Sequence, residues 1–143
     1  MKIRDILDSK GHEVVTINQS KSVHEAIQVL VEHNFGALLV LDDKDDLVGI
    51  ISERDILRES AEREKLLRKT KISEIMTRDL LIGVLDDESD YTLGIMTKNR
   101  IRHLPILEND KVVGIISLGD VVKAELHEQQ YTNRYLKQYM IGH

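Results

Sequence analysis

The sequence predicts an α+β fold made of two copies of one unit, which runs strand, helix, strand, strand, helix. The first observation is an internal repeat: G-I-I-S-E-R-D at residues 49–55 returns 65 residues later as G-I-I-S-L-G-D at residues 114–120. The second is a change of hydrophobic period within each copy, from helical spacing to short apolar runs. Because one copy has too little core to be stable alone, we expect the two copies to pack sheet to sheet.

Each copy opens with an amphipathic turn, seen first at residues 3–7, and a short apolar run follows it. The run at residues 14–17 and its counterpart at residues 80–84 predict the first strand of each copy.

The next element of the first copy is a helix over residues 23–34, where apolar side chains recur at helical spacing. Ser22 and Glu25 match a capping box at its start. Apolar runs at residues 38–41 and 48–52 then predict two buried strands, and a second helix begins after the last of them.

The repeats and the remaining chain divide the sequence into three parts. We assign residues 1–66 to the first repeat, 67–125 to the second and 126–143 to a C-terminal helical extension. The charged stretch 59–71 predicts the solvated end of a helix and the link between the repeats. One face of the extension carries three tyrosines at four-residue intervals: Tyr131, Tyr135 and Tyr139. This face either packs back on its own domain or forms a dimer contact.

The composition argues against several classes of protein. The chain has no cysteine, which excludes disulfides and thiolate metal sites, and its net charge of −5 is poorly suited to nucleic acid. The longest apolar stretch, residues 37–41, is far too short for a membrane helix, and no secretory signal is visible. We therefore expect a cytoplasmic protein that binds neither nucleic acid nor membrane.

The sequence also lacks the common catalytic motifs. No phosphate-binding loop, dinucleotide fingerprint or zinc-protease motif occurs, and the six histidines are scattered. The acidic run at residues 42–46 lies between two predicted strands and is typical of a solvated turn rather than a cation site. We therefore expect no catalytic residue, no metal and no catalytic cofactor, and hence no enzyme.

The duplicated unit, the two G-I-I-S motifs and R-H-L-P at residues 102–105 resemble a tandem pair of CBS domains, known as a Bateman module. In overall layout the chain is similar to small stand-alone bacterial CBS-pair proteins. The resemblance implies two repeats related by pseudo-two-fold symmetry, pairing of two modules into a flat homodimer, and regulation of an effector protein that the sequence does not reveal. It also implies that AMP, ADP, ATP, NAD or S-adenosylmethionine binds in clefts between the repeats.

The resemblance assigns binding roles to matching positions. Asp55 and Asp120 would hold the ribose hydroxyls, and Ser52 and Ser117 would bond ribose or phosphate. Main-chain groups around Thr16, Ile17, Ile82 and Gly83 would contact adenine. The candidate cations for phosphate are Arg54, Arg102 and His103, and the R-H-L-P motif adds Pro105. Taken alone, Ser-x-x-Asp is also close to an ordinary capping box, so the motif has both a structural and a ligand-binding interpretation.

Two questions stay open at the level of sequence. The second copy has Gly83 in the strand expected to touch adenine and Gly94 inside its first helix, so one or both clefts bind a ligand. The alternative function is a ligand-free interaction or dimerisation module that acts through the C-terminal helix.

Overall fold

The computed structural model describes residues 1–62 and 67–136, and the chain forms two compact units. Unit 1 contains Met1–Glu13 and the chain from Ile82 onward, and unit 2 contains Val14–Leu81. The elements in chain order are α1 Ile3–Lys10, β1 Thr16–Asn18, α2 Val23–His33, β2 Ala37–Leu41, β3 Leu47–Ser52, α3 Glu53–Glu62, α4 Ile72–Ile75, α5 Ser89–Lys98, β4 His103–Glu108, β5 Lys111–Ser117 and α6 Leu118–Leu136. The predicted α+β class is confirmed.

Unit 2 holds a three-stranded sheet in the order β1-β2-β3, with β1 parallel and β3 antiparallel to β2. Helix α2 begins as predicted: the Ser22 hydroxyl accepts from the Glu25 amide at 3.1 Å, and the Glu25 carboxylate accepts from the Ser22 amide at 2.8 Å. Asn34 ends the helix in the left-handed region, at φ 55°. The core of this unit includes the buried residues Val23, Ala26, Leu38, Val40, Ile51 and Ile72.

Unit 1 holds a two-stranded antiparallel sheet, β4-β5, under helices α1, α5 and α6. A two-residue turn joins the strands, and both of its residues, Asn109 and Asp110, have positive φ. Such a turn matches the right-handed twist of the strands it connects. The core of this unit includes the buried residues Ile3, Leu7, Met96, Leu104, Ile106 and Ile116.

The strand predicted at residues 80–84 is wrong, because the structure has only a single bridge there, from Gly83 to Ile106. The Gly83 amide donates to the Pro105 carbonyl at 2.9 Å, and the Leu107 amide donates to the Gly83 carbonyl at 3.0 Å. A longer parallel ladder would need the Pro105 amide proton, which proline lacks. On the other side, the Val84 amide donates to the Asp87 side chain at 2.9 Å, so the chain turns away from the sheet.

The opening helix of each sequence repeat packs on the core of the other repeat. In unit 1 the amide of Ile3, in α1, donates to the Asp87 carbonyl at 2.9 Å. In unit 2 the amide of Ile72, in α4, donates to the Lys21 carbonyl at the same distance. The compact units are therefore a different division of the chain from the two sequence repeats.

This exchange explains the glycine at the start of each G-I-I-S motif. A Cβ on Gly114 would lie 2.7 Å from Leu7 Cδ1, and a Cβ on Gly49 would lie 2.6 Å from Met76 Sδ. Leu7 and Met76 hold the same position in the two opening segments. Each motif therefore begins with glycine where the exchanged opening segment lies against the strand too closely for a Cβ.

Of the charged stretch 59–71, residues 63–66 lie outside the described residues; among the others Glu59 and Thr70 are buried, at 8% and 3% exposure, and most of the rest are exposed as predicted. Helix α6 extends through Leu136, past the predicted end of the second repeat at residue 125, and the rest of the predicted extension, 137–143, lies outside the described residues. The side chains of Tyr131 and Tyr135, and all of Tyr139, lie outside the described residues, so the tyrosine face stays a prediction. Within residues 1–62 and 67–136, no helix has the length and apolar character needed to cross a membrane.

Gly94 gives a test of the packing. It lies inside α5, and a Cβ there would meet nothing within 4 Å, so Gly94→Ala should raise the free energy of unfolding by about 0.5–1 kcal/mol. Gly114→Ala should lower it, because the buried Leu7 would have to move. Urea unfolding of both variants checks this expectation, and equal stability of the two would contradict the packing at Gly114.

Candidate functional site

The unit 2 motif site consists of Ser52, Asp55 and Thr77. Ser52 is the last residue of β3 and caps α3, whose first turn contains Asp55. The Asp55 Oδ2 accepts from the Ser52 amide at 2.9 Å and from the Ser52 hydroxyl at 3.0 Å, and the Ser52 hydroxyl accepts from the Asp55 amide at 3.2 Å. The capping interpretation of Ser-x-x-Asp is thus confirmed here, and both side chains are half-buried.

The unit 1 motif site consists of Ser117, Asp120 and Lys10. Its first two residues repeat the same geometry at the junction of β5 and α6. The Asp120 Oδ2 accepts from the Ser117 amide at 2.9 Å, and the Ser117 hydroxyl accepts from the Asp120 amide at 3.1 Å. Both helices therefore begin with a carboxylate held in one orientation by the motif itself.

The two motif sites differ in the third residue, which comes from outside the motif. In unit 2 the Thr77 hydroxyl donates to Asp55 Oδ1 at 3.2 Å. In unit 1 the Lys10 ammonium lies 2.6 Å from Asp120 Oδ2 and also donates to the Ile115 carbonyl at 2.9 Å. The sequence analysis missed both residues, and the repeat alignment could not have found them, because Lys10 and Thr77 do not hold equivalent positions in their opening segments.

The pairing with Lys10 affects the titration of Asp120. Burial acts to raise the pKa of this carboxyl, but the bonds from Lys10 and Ser117 outweigh it, and the pKa lies below its ordinary value of 3.8. Asp120 is therefore ionised at neutral pH, and its side chain is 26% exposed.

Two further predicted residues of unit 2, Thr16 and Ile17, are on β1, opposite Leu39 and Val40 of β2. Ser52 pairs with Ala37 at the start of β2, so the register places these two residues two and three positions farther along the sheet. Arg54 is also in the first turn of α3, where it is exposed.

The remaining predicted residues are in unit 1. His103 is directly across the β4-β5 ladder from Ser117, and Gly83 joins the same sheet through Ile106. Pro105 is buried in β4. Arg102, which precedes β4, and Ile82 are exposed, and the Arg102 carbonyl accepts from the Leu118 amide at 2.7 Å.

Chemically, each motif site offers an oriented carboxylate with remaining acceptor capacity. Within the described residues, the hydrogen bonds of the Asp120 carboxylate end on Oδ2, which leaves the lone pairs of Oδ1 to a ligand. A carboxylate can accept from two hydroxyls of a vicinal diol, and such charge-assisted bonds are stronger than neutral ones.

Metal-binding chemistry is a separate question, because the acidic run at residues 42–46 could suggest a cation. Its first residue closes the turn instead: Asp42 Oδ1 accepts from the amides of Lys44 and Asp46 at 2.9 and 3.0 Å. In the part of the chain that the structure describes, no three histidine, aspartate or glutamate side chains cluster to hold a metal.

Comparison with known proteins identifies the class. The family model of the CBS domain matches this chain twice, at residues 3–62 and 72–127. The chain therefore belongs to the CBS domain family, and it is a tandem pair of these regulatory domains, as the resemblance implied.

Individual relatives support the same assignment. The mitochondrial CBS domain-containing protein CBSX3 of Arabidopsis thaliana is 32% identical over 98% of this chain and 72% of its own length. The crystal structure of the CBS-domain protein ATU1752 from Agrobacterium tumefaciens has a TM-score of 0.83 and 37% identity, over 87% of this chain and 99% of that one. The CBS domain pair of protein MJ0100, solved with 5′-methylthioadenosine and S-adenosyl-L-methionine, has a TM-score of 0.78 and 29% identity, over 90% and 98% of the two chains.

The ion pair in the unit 1 motif site has a measurable signature. In Lys10→Met the pKa of Asp120 should rise, because burial remains and the ammonium is gone. The ionised carboxylate stabilises the fold above about pH 4, and that contribution is lost as the pH falls through its native pKa. Carboxyl-detected NMR titration measures the shift. Asp86, whose pKa Arg4 lowers, is the control and should not move. An unchanged Asp120 titration would contradict the pairing.

Proposed function

We propose that this CBS pair is a cytoplasmic sensor of adenosine nucleotides. In this proposal Asp55 and Asp120 accept hydrogen bonds from ribose hydroxyls, while β1 and the bridge at Gly83 supply backbone contacts to adenine. The observation that carries the proposal is the repeated carboxylate: both motif sites present an aspartate in the first turn of a helix, oriented by the same pair of bonds to serine.

The candidate ligands are AMP, ADP, ATP, NAD and S-adenosylmethionine, which share an adenosine moiety with an unmodified ribose diol. The solved complex of the MJ0100 pair with 5′-methylthioadenosine and S-adenosyl-L-methionine supports this ligand class, since a protein of this fold takes adenosine compounds. For phosphorylated ligands we propose that Arg54, Arg102 and His103 contribute to phosphate binding, together with the hydroxyls of Ser52 and Ser117.

One observation favours the alternative of a ligand-free interaction module. The hydrogen bonds between Ser52 and Asp55 already satisfy the start of α3, so this pair has a structural role without any ligand. In the alternative, the C-terminal helix provides the working surface, and the motif aspartates contribute to helix stability alone.

Replacement of the motif aspartates by asparagine separates the two functions. Asn keeps an oxygen that can accept the hydrogen bond from the serine amide, so the cap is largely preserved. It lacks the negative charge, however, and it places an NH₂ donor where a ribose hydroxyl must donate. A ligand at 1,000 times its Kd adds about 4.1 kcal/mol to the free energy of unfolding. We therefore expect nucleotide to raise the Tm of the wild type. Asp55→Asn, Asp120→Asn or the double variant should raise the nucleotide Kd tenfold or more, ~1.4 kcal/mol or more, and so reduce that rise in Tm.

The matched control is Glu25→Gln. Glu25 makes the same kind of capping box with Ser22 at the start of α2, outside both motifs. This variant should cost similar stability and leave nucleotide binding unchanged. If none of the five compounds raises the Tm of the wild type at millimolar concentration, the sensor function is wrong and the interaction module takes its place.

We further propose that the nucleotide signal reaches an effector protein through a homodimer of the chain. Large apolar side chains are exposed on helices of both units, with Val31 at 75%, Leu57 at 70% and Leu126 at 53% exposure. Exposed apolar side chains gain free energy when a second copy of the chain covers them. A ligand shifts such an assembly only when it binds its two states with different affinities.

The dimer can be tested at Leu57. Leu57→Glu should weaken self-association at least tenfold, because burying one leucine contributes about 1.5–3 kcal/mol and a buried carboxylate opposes contact. Sedimentation equilibrium over a range of concentrations measures the change. Thr97→Glu, at an exposed position of α5, is the control for added charge. A wild-type chain that stays monomeric at every concentration would rule out the homodimer.

A further inference from the structure

The two motif sites carry different charge. Among the described residues, Asp120 forms an ion pair with Lys10, whereas the contacts of Asp55 are hydroxyl and amide groups from Ser52 and Thr77. Arg54 is next to Asp55 in the sequence, yet within the described residues it forms no ion pair with it. A ligand at the unit 1 motif site therefore meets a carboxylate paired with an ammonium. A ligand at the unit 2 motif site meets a carboxylate that is hydrogen-bonded but has no ion-pair partner among the described residues.

The difference matters for any ligand that joins a ribose to a phosphate. The carboxylate that accepts the ribose hydroxyls also repels the phosphate of the same molecule, by a Coulomb energy that is significant over a few ångströms. Lys10 cancels this repulsion. Since it bonds Oδ2 and the Ile115 carbonyl, it does so while Oδ1 keeps its acceptor lone pairs.

The surroundings of Lys10 are consistent with this role. A cavity of about 310 Å³ between α1 and α6 is lined by Lys10, Asp120, Lys123 and His127. Asp5 also lines it, but its carboxylate accepts from the Lys2 amide at 3.1 Å in the cap of α1. Without Lys10, this cavity would lose one positive charge, the one in contact with Asp120.

We propose that Lys10 sets the charge selectivity of the unit 1 motif site, so that this site favours phosphorylated over uncharged adenosine ligands more strongly than the unit 2 motif site does. The inference rests on the proposed function, because it concerns the ligand class of the same aspartates. Lys10 acts here on selectivity through Asp120, and binding of the ribose itself does not require it.

The test compares AMP with adenosine, which share base and ribose and differ in charge. In an Asp55→Asn background, where only unit 1 keeps its motif carboxylate, Lys10→Met should lower the ratio of Kd for adenosine to Kd for AMP by about fivefold. Isothermal titration calorimetry gives both constants. The effect should shrink at high salt, since salt screens the repulsion between partly exposed charges.

Two matched variants control the experiment. Lys98→Met removes an exposed lysine of the same unit that does not line the cavity, and it should leave the ratio unchanged. Lys10→Met in an Asp120→Asn background, where only unit 2 keeps its carboxylate, should also leave the ratio unchanged.

The outcomes distinguish this inference from the proposed function. If Lys10→Met leaves the ratio of Kd for adenosine to Kd for AMP unchanged, or raises it, the selectivity role is overturned while nucleotide binding stands. Loss of all binding in Asp55→Asn also overturns it, because unit 1 then binds no ligand to select. Failure of the wild type to bind any adenosine compound removes the proposed function and this inference together.

Discussion

The rest of the structure depends on the close approach of an opening helix to the glycine of a motif strand. Leu7 approaches Gly114 in unit 1, and Met76 approaches Gly49 in unit 2, so closely that a single Cβ would fall within 3 Å of the side chain. This contact brings Ile3 and Ile72, from the two opening helices, into two separate cores. It also brings the opening segments to the strand-to-helix junctions, where Lys10 and Thr77 reach the motif aspartates.

The motif therefore serves packing and helix capping with few residues, and in the proposed function it serves ligand binding as well. Glycine admits the opening segment, serine and aspartate satisfy the amides at the helix start, and the same aspartate keeps acceptor capacity, which we propose that a ribose uses. Since the cap fixes the carboxylate in the absence of ligand, little ordering is left to oppose binding. What distinguishes the two copies is the group that each opening segment supplies, an ammonium in one and a hydroxyl in the other.

Sequence periodicity predicted the elements whose signals are local. Helix α2, with its Ser22 cap, and the strands β2 and β3 follow from spacing within a dozen residues. The strand predicted at residues 80–84 is wrong because Pro105, on the neighbouring strand β4, lacks the amide proton that a ladder longer than the single Gly83–Ile106 bridge would need. Ser52, Asp55, Ser117 and Asp120 came from the repeat and the family resemblance. Lys10 was not predictable, because it meets Asp120 across 110 residues of sequence and has no equivalent in the other copy.

The division into units also has a consequence for folding during synthesis. Unit 2 is one continuous stretch, Val14–Leu81, whereas unit 1 needs Met1–Glu13 together with the chain that begins at Ile82. On a ribosome, unit 2 can form its sheet as soon as residue 81 has emerged, while the apolar face of α1 waits for β4, β5 and α6. Helix α1 is thus synthesised before unit 2 but can be buried only after unit 2 is complete.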